Sequence, residues 1–407
     1  MVKILKHIIN TNIMKKALLI LVLVLMLVLG CVQHKPPVSE TQKVKIGVLV
    51  PSTGKFSTSG IAMKNAAELA LKHIKEYNLT KYDIELEFAD CGDNPEKAKS
   101  AFVSLVSKGV IAVVGGYSSP QVLAIADSAR DTKTMYIATV GSTLALEKKI
   151  AEGNKYVFRN AYNTTYWGIL AAEFLNISKP ENYYFVGYEP LKTFNSGMLK
   201  AIINKTGINP KEEIYYKSPS ASPNDYKIKA NDLAKKVGSR DVVILGDPGP
   251  ISVKFLKEYR GVGGKGIVYS VGGVLALPTV LRNAKANYTA FQAAALEQTP
   301  KTKFTKKYFE DYRKTYGKEA NNYAALLTYD SILILAQAIE KSGLDKDKLI
   351  KTLETEEFVG AAGYYKFVNH QATWGSEKLR GVIAEYVGNV QILYPKGFAT
   401  SKVIWPE

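Results

Sequence analysis

The chain has few of the residues on which most catalytic and metal sites depend. Its 407 residues include only two cysteines, Cys31 and Cys91, and four histidines, two of which lie within the first 34 residues. The other two, His73 and His370, are almost 300 residues apart, so no Cys/His group has the spacing of a metal site. Nucleophile-elbow, P-loop and HExxH motifs are also absent. We therefore predict a protein that is not an enzyme and has no metal and no cofactor.

Acidic residues are scarce relative to basic ones, 37 against 54, which gives a formal net charge of +17. The excess is spread over many lysines, without a run of five or six like charges or an arginine cluster. This distribution indicates a basic solvated surface, compatible with attraction to an anionic membrane, and no nucleic-acid partner.

The longest apolar run lies near the N-terminus and is short for a transmembrane helix. Met14-Lys15-Lys16 precedes thirteen apolar residues, Ala17 to Leu29, and the run ends at Leu29-Gly30-Cys31. A membrane span needs about 20 residues, whereas this pattern is typical of a secretory signal whose cysteine is lipidated. We predict a lipoprotein signal segment over 1–30, lipidation at Cys31 and a linker over 31–42; an uncleaved N-terminal anchor is the alternative. Both place the protein lipid-anchored or tethered at the extracytoplasmic face of the cell membrane.

From residue 43 onward, strand-like apolar runs alternate with amphipathic stretches. Runs such as VVILG are apolar throughout, as in strands covered on both faces. The alternation predicts an α/β fold with two doubly wound parallel-sheet lobes and a chain crossing near Phe158-Arg159-Asn160. A helical region, Lys303 to Leu353, contains Ala324 to Ser342, and two strands flank a Gly388-Asn389 turn. The predicted strands are Lys43–Val50, Asp83–Ala89, Val110–Gly115, Met135–Thr139, Tyr183–Gly187, Glu213–Lys217, Asp241–Gly246, Gly266–Val271, Val382–Tyr386 and Val390–Leu393.

The sequence VVGGYSSPQV, residues 113–122, ends one of these strands with two glycines. Ligands of open α/β sheets bind outside the carboxyl ends of the strands, and Gly115-Gly116 permits a tight turn there. Ser119 followed by Pro120 suits the N-cap of a helix, whose free N–H groups could also bind a carboxylate. Ser119 is therefore interpreted either as a ligand residue or as a helix cap.

The next strand end has a similar composition. Ala138 to Thr143 reads ATVGST, which is again small, hydroxylated and glycine-containing. Two adjacent strand ends of this kind form a polar pocket suited to a small zwitterion or a carboxylate.

The order of these motifs resembles the type I periplasmic binding proteins of the Leu/Ile/Val-binding group, the receptors of branched-chain amino acid ABC importers. The resemblance covers nearly the whole chain from Val44. It is carried by Ile46-Gly47-Val48, Pro51-Ser52-Thr53-Gly54, Asn94-Pro95-Glu96-Lys97-Ala98, VVGGYSS, Tyr329-Asp330-Ser331 and Ala338-Ile339-Glu340-Lys341-Ser342-Gly343.

The resemblance implies the type I periplasmic binding protein fold, with two lobes joined by three hinge crossings and a ligand enclosed on closure. We assign lobe 1 to 43–159 plus 300–355 and lobe 2 to 160–299 plus 356–407. The ligand-binding positions that it implies begin with Ser119 for the carboxylate and Ser142, beside the Val140 carbonyl, for the ammonium. The full set expected around the ligand is Ser118, Ser119, Val140, Gly141, Ser142, Phe194, Asp247, Gly272 and Tyr329.

The sequence departs from this family at three places. The family has a disulfide between positions matching Cys91 and Ser118, and one of the two cysteines is missing here. Ser59 stands where some members have a tryptophan over the side-chain pocket. The acid that pairs with the ligand ammonium would fall near Gly272, where none exists; Asp247, at the end of a second-lobe strand, is the nearest candidate, and a turn-capping role is its alternative.

The predicted function is a lipid-anchored extracytoplasmic solute receptor that binds a branched-chain or related amino acid and delivers it to an ABC permease and ATPase complex. Two alternatives stay open at this point: a sensory lipoprotein of the same fold, and a receptor for a small solute that is not an amino acid.

Overall fold

The structure, a computed structural model, describes Met14, Lys16 and Ala17 and then residues 42–284 and 286–407. The predicted signal segment and linker, including the lipidation site Cys31, lie almost entirely outside the described residues. Residues 43–407 form a single unit by their internal contacts. No helix in the described part of the chain combines the length and the hydropathy that a membrane crossing requires.

The ten predicted strands are all found to within two residues at each end, which confirms the alternating pattern, whereas β5 and β10–β13 were not predicted. Their bounds are β1 (Lys43–Val50), β2 (Asp83–Asp90), β3 (Ala112–Gly115), β4 (Met135–Ala138), β5 (Val157–Arg159), β6 (Tyr183–Tyr188), β7 (Glu212–Tyr216), β8 (Val242–Leu245), β9 (Ile267–Ser270), β10 (Thr289–Ala293), β11 (Glu357–Val359), β12 (Tyr364–Val368), β13 (Gln371–Ala372), β14 (Val382–Tyr386) and β15 (Val390–Tyr394).

Helices connect most of these strands, and the one predicted over Ala324–Ser342 is confirmed. Their bounds are α1 (Ser57–Glu76), α2 (Pro95–Ser107), α3 (Ser119–Thr132), α4 (Ala145–Ala151), α5 (Thr164–Ser178), α6 (Lys192–Thr206), α7 (Asp225–Ala234), α8 (Pro250–Gly261), α9 (Pro278–Asn283), α10 (Lys303–Tyr316), α11 (Ala324–Ser342) and α12 (Lys346–Thr355). The region predicted as helical from Lys303 to Leu353 is divided because Gly317 (φ +63°) and Gly343 (φ +68°) terminate α10 and α11.

The strands form two sheets, so the predicted fold with two α/β lobes is confirmed. Among the described residues, the first sheet has eight strands in the order β11-β12-β13-β5-β4-β3-β1-β2, and the second has seven in the order β15-β14-β10-β9-β8-β6-β7. Strands β1 to β5 are parallel, as are β6 to β10, while antiparallel strands extend one edge of each sheet. We call the first sheet with α1–α4 and α10–α12 lobe 1, and the second sheet with α5–α9 lobe 2.

Within the described residues the chain passes between the sheets three times, at residues 160–163, 294–302 and 373–381. The sequence-based limits of the lobes stay a prediction, but they differ from the strand pairing in one segment. Residues 357–372, assigned to lobe 2, form β11–β13 in the first sheet, where Gln371 pairs with Arg159. The third crossing therefore follows β13 rather than α12.

Both sheets are covered on both faces, as their apolar strands require. One core runs from lobe 1 through the crossings into lobe 2 and includes Ile137, Phe158, Tyr162 and Tyr269. Two further cores lie on the outer faces of the sheets, one around Phe102 and the other around Leu256. The carboxyl ends of the parallel strands are thus held on rigid layers, next to the crossings.

Candidate functional site

The carboxyl ends of β1, β3 and β4 lie side by side in lobe 1. Gly115, the last residue of β3, is in register with Leu49 of β1 and with Ala138 of β4. The segments that follow these strands, which contain Ser118, Ser119 and Val140–Ser142, therefore emerge at one edge of the sheet, as predicted from the sequence.

Two glycines turn the chain sharply after β3. Gly115 and Gly116 have φ angles of +117° and +74°, and the Gly116 N–H donates to the Leu49 carbonyl at 3.1 Å. A Cβ atom on Gly115 would lie 2.1 Å from that same carbonyl oxygen. A side chain at this position would clash with the backbone, so the turn requires glycine.

Ser118, not Ser119, is the N-cap of α3, which corrects the predicted cap. The backbone N–H and the hydroxyl of Ser118 donate to Gln121 Oε1 at 2.9 and 3.1 Å, and the helix begins at Ser119. The Ser119 hydroxyl is half-buried and forms no hydrogen bond with any other described residue. Its oxygen is therefore available to a ligand next to the backbone N–H of Ser119, since Pro120 has no N–H and the Val122 N–H donates to the Ser118 carbonyl at 3.0 Å.

The segment after β4 packs tightly against α3. A Cβ atom on Gly141 would lie 1.9 Å from Val122 Cγ2, so only glycine allows this approach. The buried Ser142 hydroxyl accepts a hydrogen bond from Trp167 Nε1 at 2.9 Å and donates to the Val140 carbonyl at 3.3 Å. The structure thus brings Val140, Gly141 and Ser142 together with the end of β3, but the Ser142 hydroxyl already has protein partners.

In lobe 2, Asp247 follows β8 and is only 2% exposed. Its Oδ1 accepts from the Gly249 N–H at 2.7 Å, and its Oδ2 accepts from the Tyr216 hydroxyl at 3.0 Å. Burial raises the pKa of Asp247 to about 6, and no basic side chain of the described residues opposes this shift. Asp247 therefore both caps its turn and presents a buried carboxyl group without a cationic partner.

Tyr117, which follows β3, packs against the start of α1 in lobe 1. Its hydroxyl lies 3.0 Å from Ser59 Oγ, and its ring is 4.5 Å from the Phe56 ring between centroids. Burial raises the pKa of Tyr117, and the negative charge of Asp247 raises it further. Tyr117 is therefore the lobe 1 side chain whose pKa responds to the charge of Asp247 in lobe 2.

Gly272 follows β9 and cannot be replaced by an acidic residue without rearrangement. Its φ is +99°, and a Cβ atom there would lie 2.5 Å from the Gln292 carbonyl oxygen. The neighbouring Gly273 has a similar restriction, since its Cβ would lie 2.0 Å from the Pro248 carbonyl oxygen. The absence of an acid at this strand end thus follows from close packing of the backbone.

Phe194 and Tyr329 have different places in the structure. Phe194, half-buried on α6, packs edge-on against Trp167 with 5.9 Å between ring centroids, and so joins the group around Ser142. Tyr329 is fully buried among lobe 1 helices, with its hydroxyl 2.7 Å from His73 Nδ1 and its ring 4.9 Å from that of Tyr308. The structure does not bring Tyr329 to the strand ends, because the interior of lobe 1 encloses it.

Tyr323, which was not predicted, lies beside the first crossing and Trp167. It immediately precedes α11; its hydroxyl accepts from the Tyr162 N–H at 3.2 Å, and its ring is 4.8 Å from that of Trp167. Burial raises the pKa of Tyr323 well above its usual range, and the hydrogen bond from the Tyr162 N–H only partly opposes this shift, so the phenol is neutral. The Asn321-Asn322-Tyr323 sequence directly before a long apolar helix is the local signal from which Tyr323 could have been chosen as a candidate.

An aromatic cluster joins the first and third crossings and was also missed from the sequence. The Tyr162 ring lies 4.5 Å from that of Trp374 and 5.0 Å from that of Tyr323. The Tyr162 hydroxyl donates to the Ala293 carbonyl at 2.9 Å, and Trp374 Nε1 donates to the Asn160 carbonyl at 2.6 Å. Residues of the first and third crossings therefore meet next to Ala293, after which the second crossing begins.

Among the described residues, one group of potential metal ligands lies in lobe 1, away from these strand ends. His73, Glu76 and Asp311 have ligand atoms within 4.8 Å of one another. However, Lys307 Nζ lies 3.0 Å from carboxylate oxygens of both Glu76 and Asp311, and His73 Nε2 lies 2.9 Å from Asp311. The lysine ammonium supplies the cation at this place, and the group is an ion-pair network.

Comparison with known proteins is consistent with this geometry. Residues 43–376 match the sequence profile of a family described as periplasmic binding protein. The chain is 24% identical over 339 residues to the Leu/Ile/Val-binding protein homolog 6 of Brucella melitensis, which covers 79% of this chain and 82% of that protein.

Solved structures share the fold at lower sequence identity. The branched-chain amino acid transporter substrate binding protein LivJ of Streptococcus pneumoniae, in complex with isoleucine, superposes with a TM-score of 0.72 at 18% identity, over 87% of this chain and all of that one. A solute binding protein of an ABC transporter from Rhodopseudomonas palustris, in complex with 3,4-dihydroxybenzoic acid, gives 0.69 at 19% identity, over 84% and 93%. With the profile matching most of its length, this chain belongs to the periplasmic binding protein family.

Proposed function

We propose that this protein is the extracytoplasmic solute receptor of an ABC importer and binds a branched-chain or related amino acid by closure of its two lobes. The observation that carries the proposal is that the strand ends of the two lobes offer unlike groups. Lobe 1 offers the free Ser119 hydroxyl and the N-terminus of α3, and lobe 2 offers the buried carboxyl of Asp247, which has no basic partner.

The carboxylate of the ligand binds at Ser119 and the first turn of α3 in this proposal. Serine hydroxyls and unpaired backbone N–H groups are hydrogen-bond donors, and the helix dipole favours an anion at this end. The Ser118 hydroxyl already donates to Gln121, which leaves the Ser119 hydroxyl as the side-chain donor for the ligand.

The ammonium of the ligand pairs with Asp247. A buried carboxylate without a cation is costly, and an arriving ammonium offsets that cost through charge-assisted hydrogen bonds. Because the turn at Gly249 and the Tyr216 hydroxyl fix both carboxylate oxygens, the group is held in position before the ligand arrives. The Val140 carbonyl is a further acceptor for the ammonium. Ser142 does not contact the ligand in this proposal, because its hydroxyl accepts from Trp167 Nε1 and so holds that ring in place.

Closure follows from the division of the site between two lobes. Each lobe alone supplies only part of the contacts, so ligand binding favours the state in which both parts meet. Small-angle scattering should give a smaller radius of gyration at saturating ligand, and an unchanged curve would count against a two-lobe clamp.

Calorimetry with three related probes tests the ligand class. L-leucine carries both charged groups, 4-methylpentanoate lacks the ammonium and 3-methylbutylamine lacks the carboxylate. We expect L-leucine to bind at least tenfold more tightly than either single-charge compound. Mass spectrometry of ligand released from the denatured purified protein provides an independent identification, and release of a compound without an amino group would contradict the proposal.

A receptor for a carboxylate that is not an amino acid is the second candidate. Two observations favour it: no acid can occupy Gly272, and burial raises the pKa of Asp247 to about 6, which eases its protonation. In its neutral form, Asp247 could donate a hydrogen bond to an uncharged ligand group. Equal affinities for L-leucine and 4-methylpentanoate would favour this candidate.

Attachment to the membrane through a lipid on Cys31, and delivery of the ligand to a permease and ATPase pair, complete the proposal. The support is the apolar run from Ala17 to Leu29 that ends at Cys31, since one lipidated cysteine tethers an exported domain. Cys31→Ser should release the protein from the membrane or block its processing. A variant that remains membrane-bound, with its N-terminal segment still removed, would contradict lipidation.

A further inference from the structure

The side chain of Gln121, in the first turn of α3, is fully buried and uses all of its hydrogen-bonding capacity. Its Oε1 accepts from the N–H and the hydroxyl of Ser118, at 2.9 and 3.1 Å. Its Nε2 donates to the carbonyls of Cys91 and Gly92, at 2.8 and 3.0 Å. A glutamine amide has two acceptor sites and two donor hydrogens, so none of the four is left over.

These four bonds join segments that the sheet keeps apart. Cys91 and Gly92 follow β2, while Ser118 follows β3, and β1 lies between those two strands. Adjacent strands are about 4.8 Å apart, so the two segments would have about 10 Å between them without a side chain to connect them. Gln121 spans the end of β1 and makes this connection.

The segment after β2, to which Gln121 donates, is fixed by further hydrogen bonds. The Asp90 carboxylate accepts from the N–H groups of Ser52, Thr53 and Gly92, at 2.8, 3.2 and 2.9 Å, and from Lys97 Nζ at 2.6 Å. The segments after β1 and β2 thus form one hydrogen-bonded unit, and Gln121 attaches the start of α3 to it.

We propose that Gln121 is a positioning residue for carboxylate recognition. By holding Ser118 as the helix cap, Gln121 keeps the Ser118 hydroxyl occupied and fixes the place of the adjacent Ser119 hydroxyl and of the first N–H groups of α3. This inference rests on the proposed binding of a carboxylate at Ser119. The free, buried Cys91 forms no disulfide with another described residue, so the connection between these segments depends on the amide.

The amide is the group that this arrangement needs. A glutamate could still accept from Ser118, but its other oxygen would face the carbonyls of Cys91 and Gly92 and repel them. An asparagine is one methylene shorter and cannot reach both segments at once.

The test compares Gln121→Glu with a matched glutamine elsewhere in lobe 1. Gln337 has the same kind of bonds: its Oε1 accepts from the Val359 N–H at 3.1 Å, and its Nε2 donates to the Leu333 and Val359 carbonyls, each at 2.9 Å. Gln337→Glu therefore imposes a similar loss of hydrogen bonds on lobe 1, away from Ser119.

The readout is the ratio of the affinities for L-leucine and L-leucinamide, which lacks the carboxylate, together with amide hydrogen exchange at residues 118, 119, 121 and 122. We expect Gln121→Glu to lower that ratio at least fivefold and to speed exchange at Ser118, and Gln337→Glu to change neither. Gln121→Asn is a milder change that should also lower the affinity ratio and speed exchange at Ser118. This variant replaces Gln121→Glu in the test if the glutamate variant does not fold.

Two outcomes would overturn the inference: an unchanged affinity ratio, or unchanged exchange at Ser118, in a folded Gln121 variant. Failure of the proposed function gives a different result, because the wild-type protein would then not favour L-leucine over L-leucinamide and Ser119→Ala would have no effect on either. The exchange measurement needs no ligand and still decides whether Gln121 fixes the start of α3.

Discussion

Asp90 and Asp247 stand at the carboxyl ends of parallel strands, one in each lobe, in opposite electrostatic surroundings. Burial alone would raise the pKa of Asp90, but hydrogen bonds from Lys97, Thr53 and the backbone outweigh it and hold the pKa well below its usual range. Burial raises the pKa of Asp247 to about 6, and the hydrogen bonds that it receives come from uncharged groups. The Asp90 charge is neutralised within its lobe, whereas that of Asp247 is not.

This difference indicates what each lobe can contribute to binding. In lobe 1 the Asp90 carboxylate holds the two segments after β1 and β2 together. The donors that remain at the strand ends of this lobe are hydroxyl and N–H groups. In lobe 2 the acid itself remains for a ligand. A zwitterion fits one group in each lobe, and the affinity of either lobe alone should therefore be low.

The largest effect is expected from glycines at the strand ends, a feature that the two lobes share. Gly115→Ala and Gly273→Ala each place a Cβ about 2 Å from a backbone carbonyl oxygen at positive φ. Left-handed strain and overpacking together should lower the free energy of unfolding by about 2–5 kcal/mol, measured by chemical denaturation.

Two other glycines provide matched controls, one in each lobe. Gly109 (φ +76°) and Gly263 (φ +84°) have no heavy atom within 4 Å of an added Cβ. Their alanine variants should lose only the left-handed strain, about 1–2 kcal/mol. Equal losses at all four positions would show that close approach at the strand ends contributes nothing.

The next effect separates the two serines of lobe 1. Ser119→Ala should weaken L-leucine binding by about 1–3 kcal/mol, the range for a hydrogen bond to a charged group, with little change in stability. Ser118→Ala removes the cap and should lower the free energy of unfolding by about 1 kcal/mol. Calorimetry and thermal unfolding of both variants distinguish the roles, and a destabilised Ser119→Ala with normal affinity would reverse them.

The comparison also shows where prediction from sequence stops. The strand ends and Gly115 were predictable because apolar runs and glycines report on local structure. The choice between Ser118 and Ser119 as cap was not, because both serines suit a cap and the decision depends on Gln121, whose other partners lie some 30 residues away.

Prediction from sequence also failed for one tyrosine and for the strands at one edge of the first sheet, because contacts distant in the chain decide both. Tyr323 and Tyr329 lie six residues apart, and only the packing of Tyr329 against His73 and Tyr308 shows that it cannot reach the cleft. Residues 357–372 join the first sheet because Gln371 pairs with Arg159, more than 200 residues earlier. No local pattern encodes such contacts.

Removing the charge in lobe 2 is the direct test of the asymmetry between the lobes. Asp247→Asn keeps the shape and most of the capping capacity, and should weaken L-leucine binding at least tenfold, about 1.4 kcal/mol, while 4-methylpentanoate is unaffected. Asp90→Asn is the control, since it should lower stability without changing the ratio of the two affinities. An Asp247→Asn variant with normal affinity for L-leucine would mean that Asp247 is not the ammonium partner.

The smallest effect is a dependence of binding on pH that only lobe 2 should produce. With a pKa of about 6 in the free protein, the Asp247 carboxyl is mostly ionised at pH 7 and half protonated at pH 6. A ligand ammonium binds the ionised form, so the proton must leave first, and the affinity for L-leucine should fall about twofold from pH 7 to pH 6, about 0.4 kcal/mol. Below pH 6 the loss should approach tenfold for each pH unit until the ligand carboxylate titrates. Calorimetry in buffers of different ionisation enthalpy measures the released proton directly.

Asp247→Asn should abolish both the slope and the proton release, whereas Asp90, whose pKa lies far lower, should contribute nothing in this range. A slope that persists in Asp247→Asn would assign the titration to another group and remove the main argument for an ammonium-binding lobe 2.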